Sequence, residues 1–293
     1  RASRLGDDAK AQQLREDEDA LANEALNLRR DFHKVFQTNA PASISLAKAL
    51  ITRANEIEDI DSAAALVNEA HTVCKDASTT EDEEILPLAR VAFEGAKWLT
   101  RHGLRNQGRN ACLTSASILE AGWTSSPSYE MGISYSEALH SFTLHYENTD
   151  ESITGALEHE KTRRTVLECL CKQRKDKRSM RLLGSCIQVL ASTFERLGNG
   201  TDARKVLNEY LEFARSFEDE PLWAGLGTEQ RAISLAELAK FDERHGDGEA
   251  SCNECHECIK LIQEADPSVA NVLRLSKPLK KANKILQELS APE

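Results

Sequence analysis

The sequence is poor in the residues and patterns that mark β-structure, membrane spans and nucleic-acid-binding surfaces. It has seven prolines, fourteen glycines and 5% aromatic residues, and the apolar–polar alternation of strands never extends over a useful length. No apolar run approaches the roughly 20 residues that cross a bilayer, and no signal-like start is present. A net charge of −11 disfavours broad electrostatic binding to nucleic acid or to an anionic membrane. We therefore expect an all-α, intracellular protein of the cytoplasm or nucleus, with no membrane partner.

Catalytic and cofactor motifs are also missing. No phosphate-binding loop, dinucleotide fingerprint or nucleophile elbow occurs. Cys252, Cys255 and Cys258 are spaced so that one helix face could present three thiols to a metal. No second CxxC or HxxxH lies at a recognised distance to complete a tetrahedral site. We favour packing of these cysteines on the inner face of a helix, leave a metal as the alternative, and expect no enzymatic activity and no cofactor.

What the sequence does contain is amphipathic helical hairpins, and the clearest spans residues 184–215. Apolar residues recur there at steps of three and four on both sides of Gly198-Asn199-Gly200, as expected for two helices that each have one apolar face. Glycine tolerates the positive φ of a tight reversal, and Thr201 or Asp202 is expected to cap the second helix. Two helices bury too little surface to be stable alone, so the pattern predicts stacked neighbours of the same kind.

The hairpin resembles the tetratricopeptide (TPR) family, whose repeats are helical hairpins of about 34 residues. The resemblance is carried by Ala191, Gly198, Ala203, Leu207 and Leu211, and it extends weakly over about residues 43 to 264. It implies a TPR-like α-solenoid of stacked antiparallel hairpins with capping helices at both ends. The implied divisions are an N-terminal capping or coiled-coil helix (1–41), helical repeats (42–267) and a C-terminal capping helix (268–293).

Residues 7–36 form a separate amphipathic segment. Its apolar residues Leu14, Leu21, Ala25, Leu28, Phe32 and Val35 follow heptad spacing, which is typical of a coiled-coil seam. We favour docking of this helix along the first repeat, because fewer than four clean heptads are present. Self-association through residues 7–36 is the alternative.

Charged residues interrupt the helix that precedes the central hairpin. His159 to Arg164 places charge where the period asks for apolar residues, so we expect this stretch either to project beyond its neighbour or to line an open groove. A basic run then follows, and together the candidate basic contacts are Arg163, Arg164, Lys172, Arg174, Lys175, Lys177 and Arg178. A solvated loop is the first interpretation of this run. An acidic or phosphorylated partner is the second, and a nuclear import signal or nucleic acid the third.

The TPR resemblance also implies groove-facing positions on the first helix of each hairpin. In the central hairpin Gln188 and Ser192 occupy them, where some TPR proteins use Lys and Asn to hold a terminal carboxylate. The sequence thus predicts a non-enzymatic protein–protein interaction scaffold that binds a peptide segment or helix of a partner protein. The alternative is a regulatory helical domain of a larger enzyme whose catalytic part lies outside these residues.

Overall fold

The structure, a computed structural model, describes residues 2–36, 39–77, 82–143, 150–174, 176–218, 224–265 and 274–290. Those residues form twelve α-helices and no strand, so the all-α prediction is confirmed. The helices are α1 (Ala2–Val35), α2 (Ala40–Ala54), α3 (Ile60–Asp76), α4 (Asp82–Arg101), α5 (Arg105–Ser125), α6 (Tyr129–Thr143), α7 (Asp150–Arg174), α8 (Lys177–Arg196), α9 (Gly200–Arg215), α10 (Ala224–Arg244), α11 (Gly248–Glu264) and α12 (Ser276–Leu289).

The chain divides into two compact units, residues 1–145 and 146–293. In the first, α4 is the central helix and packs against α2, α3, α5 and α6. In the second, α10 has the same role and packs against α8, α9, α11 and α12. The boundaries predicted after residues 41 and 267 remain a prediction.

Three of the helix–helix turns have the same structure. Gly103, Gly198 and Gly246 follow α4, α8 and α10 with φ of 81°, 73° and 78°. In each turn the next residue donates its backbone N–H to the carbonyl five positions back, as Asn199 does to Phe194 at 2.9 Å. This is the Schellman arrangement, which satisfies the last carbonyls of a helix and requires a residue that tolerates positive φ. The predicted glycine turn of the central hairpin is therefore present, and it recurs twice.

Counting from these glycines gives the three hairpins a common register. Seven residues before the glycine lie Ala96, Ala191 and Ala239, and five after it lie Gly108, Ala203 and Ser251. Both positions are buried in all three hairpins, and in α11 the Ser251 hydroxyl donates to the Ala239 carbonyl at 2.8 Å. Small residues at these positions let the two helix backbones approach closely beside the turn.

A second crossing lies further from each turn. Fourteen residues before the glycine stand Ala89, Gly184 and Ala232, and twelve after it stand Ser115, Tyr210 and Cys258. The Ser115 hydroxyl donates to Ala89 O at 2.9 Å and the Cys258 thiol to Ala232 O at 3.4 Å. The central hairpin has a tyrosine at this position, and a Cβ on Gly184 would lie 2.7 Å from its hydroxyl oxygen. Glycine thus makes room for the larger side chain across the crossing.

The predicted capping residue of the second helix in this hairpin was wrong. α9 begins at Gly200 and is capped by Asn199, whose side chain accepts from the Asp202 N–H, so neither Thr201 nor Asp202 is the cap. A capping side chain has to precede the first helical residue, and here Asn199 is the residue in that place.

The N-terminal helix α1 docks on the first unit through a mainly polar face. Leu26 is buried in the core of that unit, Arg30 makes a two-pronged ion pair with Glu69 at 2.6 and 2.7 Å, and Arg53 pairs with Asp19. The heptad residues Leu14, Leu21, Leu28, Phe32 and Val35 are exposed. The helix therefore docks as favoured, but the heptad seam is not the docking face.

Candidate functional site

The second unit has a groove along one face of α8, between that helix, α10 and α12. Two adjoining cavities of about 550 and 390 Å³ make up the groove, and both are lined by Gln188 and Glu237. Side chains at every third or fourth position of α8, from Arg181 to Glu195, face it. The structure thus places Gln188 in both cavities and Ser192 in the smaller one. Their contact with a partner stays a prediction.

A buried polar network forms the floor of the larger cavity. Glu229 of α10 is fully buried and accepts two bonds from the Arg181 guanidinium, at 2.8 and 2.7 Å. Beside it the Gln230 side-chain oxygen lies 2.7 Å from the Tyr210 hydroxyl. Burial raises the pKa of Tyr210 well above its ordinary value, so this hydroxyl stays protonated and can donate. A buried carboxylate is tolerated only when paired and hydrogen-bonded, and Arg181 meets that need.

The walls of the groove carry an excess of positive charge. Three carboxylates line it: Glu195, Glu229 and Glu237. Seven basic side chains line it: Arg181, Arg196, Lys240, Arg244, Arg274, Lys277 and Lys281. The groove thus has a formal charge of +4 in a chain whose net charge is −11.

The last helix supplies much of this charge. Lys281 pairs with Glu237 of α10, and burial lowers the pKa of Lys281 despite that carboxylate. Lys277 is exposed at the start of α12, and Arg274 is exposed two residues before the helix begins. Sequence reasoning missed these residues, although Lys277 and Lys281 stand at i, i+4, the spacing that puts two side chains on one helix face.

The predicted basic contacts separate into buried and exposed groups. Arg163 is buried and pairs within α7 with buried Glu160 at 3.0 Å. Arg164 is half-buried between Glu168 and Glu209, at 2.6 and 2.8 Å. Neither is placed to be an open basic contact. At Glu160 and Arg163 the charged middle of α7 is therefore packed rather than open, because an internal ion pair lets it pack.

The basic run itself lies around the turn between α7 and α8. Lys172, Arg174, Lys177 and Arg178 are exposed there, and Lys175 lies outside the described residues. Asp176 caps α8, since its side chain accepts hydrogen bonds from the backbone N–H groups of Arg178 and Ser179. The run is separate from the groove residues Gln188 and Ser192, so the sequence-predicted contacts do not form a single site.

The three cysteines of α11 are placed differently from one another. Cys255 and Cys258 are buried and Cys252 is half-buried. Burial raises the pKa of Cys255 to about 11 and that of Cys258 to about 12, which disfavours the thiolate that metals bind. Among the described residues no group of three His, Cys, Asp or Glu side chains is arranged to hold a metal ion.

A pair of carboxyl groups lies between α10 and α11, away from the groove. Asp242 is buried and accepts from Arg204 at 2.9 Å. Glu254 lies beside it, and desolvation together with the charge of Asp242 raises the pKa of Glu254 to about 8. The raised pKa favours the protonated form of Glu254 in the folded protein.

Within the described ranges, no helix is both long enough and apolar enough to cross a membrane. No protein-family model and no curated protein matches the sequence.

Three solved structures illustrate the similarity to known helical proteins. A computationally designed self-assembling cyclic homo-oligomer is 11% identical and aligns over 92% of this chain and 96% of its own, with a TM-score of 0.19. The DHF58 filament is 14% identical over 85% and 90%, with a TM-score of 0.19. A de novo designed 16-helix transmembrane nanopore is 12% identical over 92% and 96%, with a TM-score of 0.15. TM-scores this low support no conclusion about fold or function.

Proposed function

We propose that the protein is a non-enzymatic interaction scaffold whose α8–α10–α12 groove holds an acidic segment of a partner protein. The observation that carries the proposal is the groove's charge of +4 in a chain of net charge −11. A local positive field attracts an acidic segment, and the negative remainder of the surface repels it elsewhere.

The architecture supports the same function. We infer that the hairpins within each unit stack as in a TPR-like α-solenoid, with α8, α10 and α12 as the helices that face the groove. Repeat proteins of this kind bind partners along such surfaces. The common register of the three glycine turns supports the inference, because each hairpin has small residues at the same crossings.

The length of the groove sets the size of the segment. From Arg181 to Arg196 the groove face of α8 extends about 22 Å at 1.5 Å per residue. An extended chain covers this distance with about six or seven residues. The exposed amide of Gln188 near the middle can exchange hydrogen bonds with the backbone of such a segment.

The test is selection from a random peptide library, followed by affinity measurement of a selected peptide. The peptides should be enriched in Asp and Glu. Reversing two exposed groove charges, Lys240→Glu with Lys277→Glu, should weaken binding about tenfold or more and flatten its salt dependence.

The matched control is Lys260→Glu with Lys284→Glu, which makes the same charge change at exposed sites on α11 and α12 outside the groove. Its affinity should stay close to wild type. An unbiased set of peptides, or equal losses in both variants, would contradict the proposal.

A third variant, Arg174→Glu with Lys177→Glu, tests the α7–α8 turn in the same assay. A loss confined to that variant would move the binding site to the basic run.

A further inference from the structure

The face of α1 opposite its docked side carries an apolar stripe that is interrupted at Glu18. Its large members are Leu14, Leu21, Leu28, Phe32 and Val35, each 55–74% exposed, with exposed Ala25 between them. The stripe is about 30 Å long at 1.5 Å per residue. Apolar patches of this extent are uncommon on monomers and mark sites of association.

The docked face leaves the stripe accessible. Leu28 is two residues beyond buried Leu26, and Phe32 is two beyond Arg30, so each is turned about 160° from its docked neighbour at 3.6 residues per turn. Docking through Leu26 and the Arg30–Glu69 ion pair also holds the helix in place. A second helix can therefore pack on the stripe without displacing the first unit, and little ordering of α1 is needed.

Heptad positions identify what fits the stripe. Leu14, Leu21, Leu28 and Val35 repeat every seven residues at one position, and Ala25 and Phe32 stand three residues before Leu28 and Val35. These are the d and a positions of a coiled coil. The flanking g positions are then acidic, at Asp17, Glu24 and Asp31, and the flanking e positions include Arg15 and Arg29.

We propose that α1 pairs with α1 of a second copy of this chain in a parallel two-stranded coiled coil over residues 14–36. In a parallel pair each g side chain faces the e side chain of the next heptad on the partner helix, so Glu24 of each copy faces Arg29 of the other. An antiparallel pair would set the acidic g rows against each other and the basic e rows likewise. Upstream, Lys10 would face Arg15, and this like-charge contact limits the coil to the C-terminal part of α1.

One position weakens the pairing and provides a test of it. Glu18 stands at an a position, where a parallel dimer brings the two copies of a residue together. Replacing Glu18 with Leu should tighten association about tenfold. If the stripe instead binds a helix of a different protein, the substitution should leave the association state of the isolated chain unchanged.

The experiment is sedimentation equilibrium of the full chain across a concentration series. The wild type should change from one to two copies as concentration rises. Leu21→Asp with Leu28→Asp should weaken association at least about 100-fold. The control Leu289→Asp introduces the same change at another exposed leucine and should associate as wild type does. Circular dichroism should report the same helicity for every variant, since the replaced side chains are exposed.

Charge reversal tests the orientation. Glu24→Arg and Arg29→Glu should each weaken self-association, and mixing the two variants should restore it, because each altered residue then faces its opposite charge. A wild type that is a monomer at every concentration would overturn the proposal, as would stripe variants that associate normally. Tighter association of Glu24→Arg alone would overturn the parallel arrangement.

Discussion

Replacing Gly184 with Ala tests the crossing beneath the groove. The added Cβ would lie 2.7 Å from the Gln230 side-chain oxygen and 2.7 Å from the Tyr210 hydroxyl oxygen. Those two atoms are hydrogen-bonded to each other, and both side chains are buried. Neither can move without separating from the other, so the methyl group should break a buried polar contact as well as overpack the crossing.

The expected cost follows from three terms. Overpacking a core position costs about 1 to 3 kcal/mol. Leaving a buried donor or acceptor unsatisfied costs about 1 to 3 kcal/mol. The higher helix propensity of alanine offsets about 1 kcal/mol of this cost. We therefore expect Gly184→Ala to lower the free energy of unfolding by about 1 to 5 kcal/mol. At most other helical positions the same substitution raises the free energy of unfolding.

Urea denaturation of the full chain measures this cost, and two variants control it. Gly200→Ala places a Cβ no closer than 3.4 Å to a neighbour and should be neutral or stabilising. Tyr210→Cys recreates at this crossing the cysteine of the α10–α11 hairpin, at Cys258. In the Tyr210→Cys background the further change Gly184→Ala should cost little or stabilise. Equal costs of Gly184→Ala in both backgrounds would refute the steric reasoning.

Three further substitutions test other parts of the fold by denaturation. Ala203→Leu should cost about 1 to 3 kcal/mol because it overpacks the crossing beside the glycine turn; Lys205→Leu on the exposed face of the same helix is the control, and an unchanged midpoint and slope for Ala203→Leu would mean that the crossing tolerates bulk. Arg163→Met should cost about 3 to 5 kcal/mol because it removes the cation that pairs with buried Glu160 at 3.0 Å; the double variant with Glu160→Leu should recover most of the loss, and no recovery would contradict the reasoning. The pKa of Glu254 rises from 4.5 to about 8 on folding, so the folded state holds the extra proton, and this contribution to stability should be lost as pH rises from about 4.5 to about 8. Glu254→Gln should flatten the profile across that window, and an unaltered profile would place the proton elsewhere.

Local periodicity predicted the helices and the central turn well, because both depend on neighbouring residues. Gly198 was identified as the reversal and Ala203 as one of the residues that carry the TPR resemblance, and the structure has a positive φ at the first and full burial at the second. Both assignments use spacing within one hairpin. Glycine and small residues at these positions leave few alternative conformations for the turn.

What the sequence did not predict depends on contacts between distant residues. Glu160 and Arg163 are three residues apart, a spacing that is typical of ion pairs on exposed helix faces. They form a buried pair because α7 packs against α8. The docking face of α1 has a single buried leucine among polar partners, so no apolar period marks it. Arg181, Glu229 and Lys281 come from three different helices and line the same groove. No local sequence pattern predicts that they lie together.

The burial of the cysteines gives the molecule built-in reporters of local unfolding. Burial raises the pKa of Cys74 in the first unit, and of Cys171 in the second, to about 12, so these thiols react only when the surrounding helices open. Alkylation rates measured residue by residue by mass spectrometry would therefore give an opening free energy for each unit. If the two units open independently, a substitution such as Gly184→Ala should accelerate labelling of Cys171 and leave the rate at Cys74 unchanged.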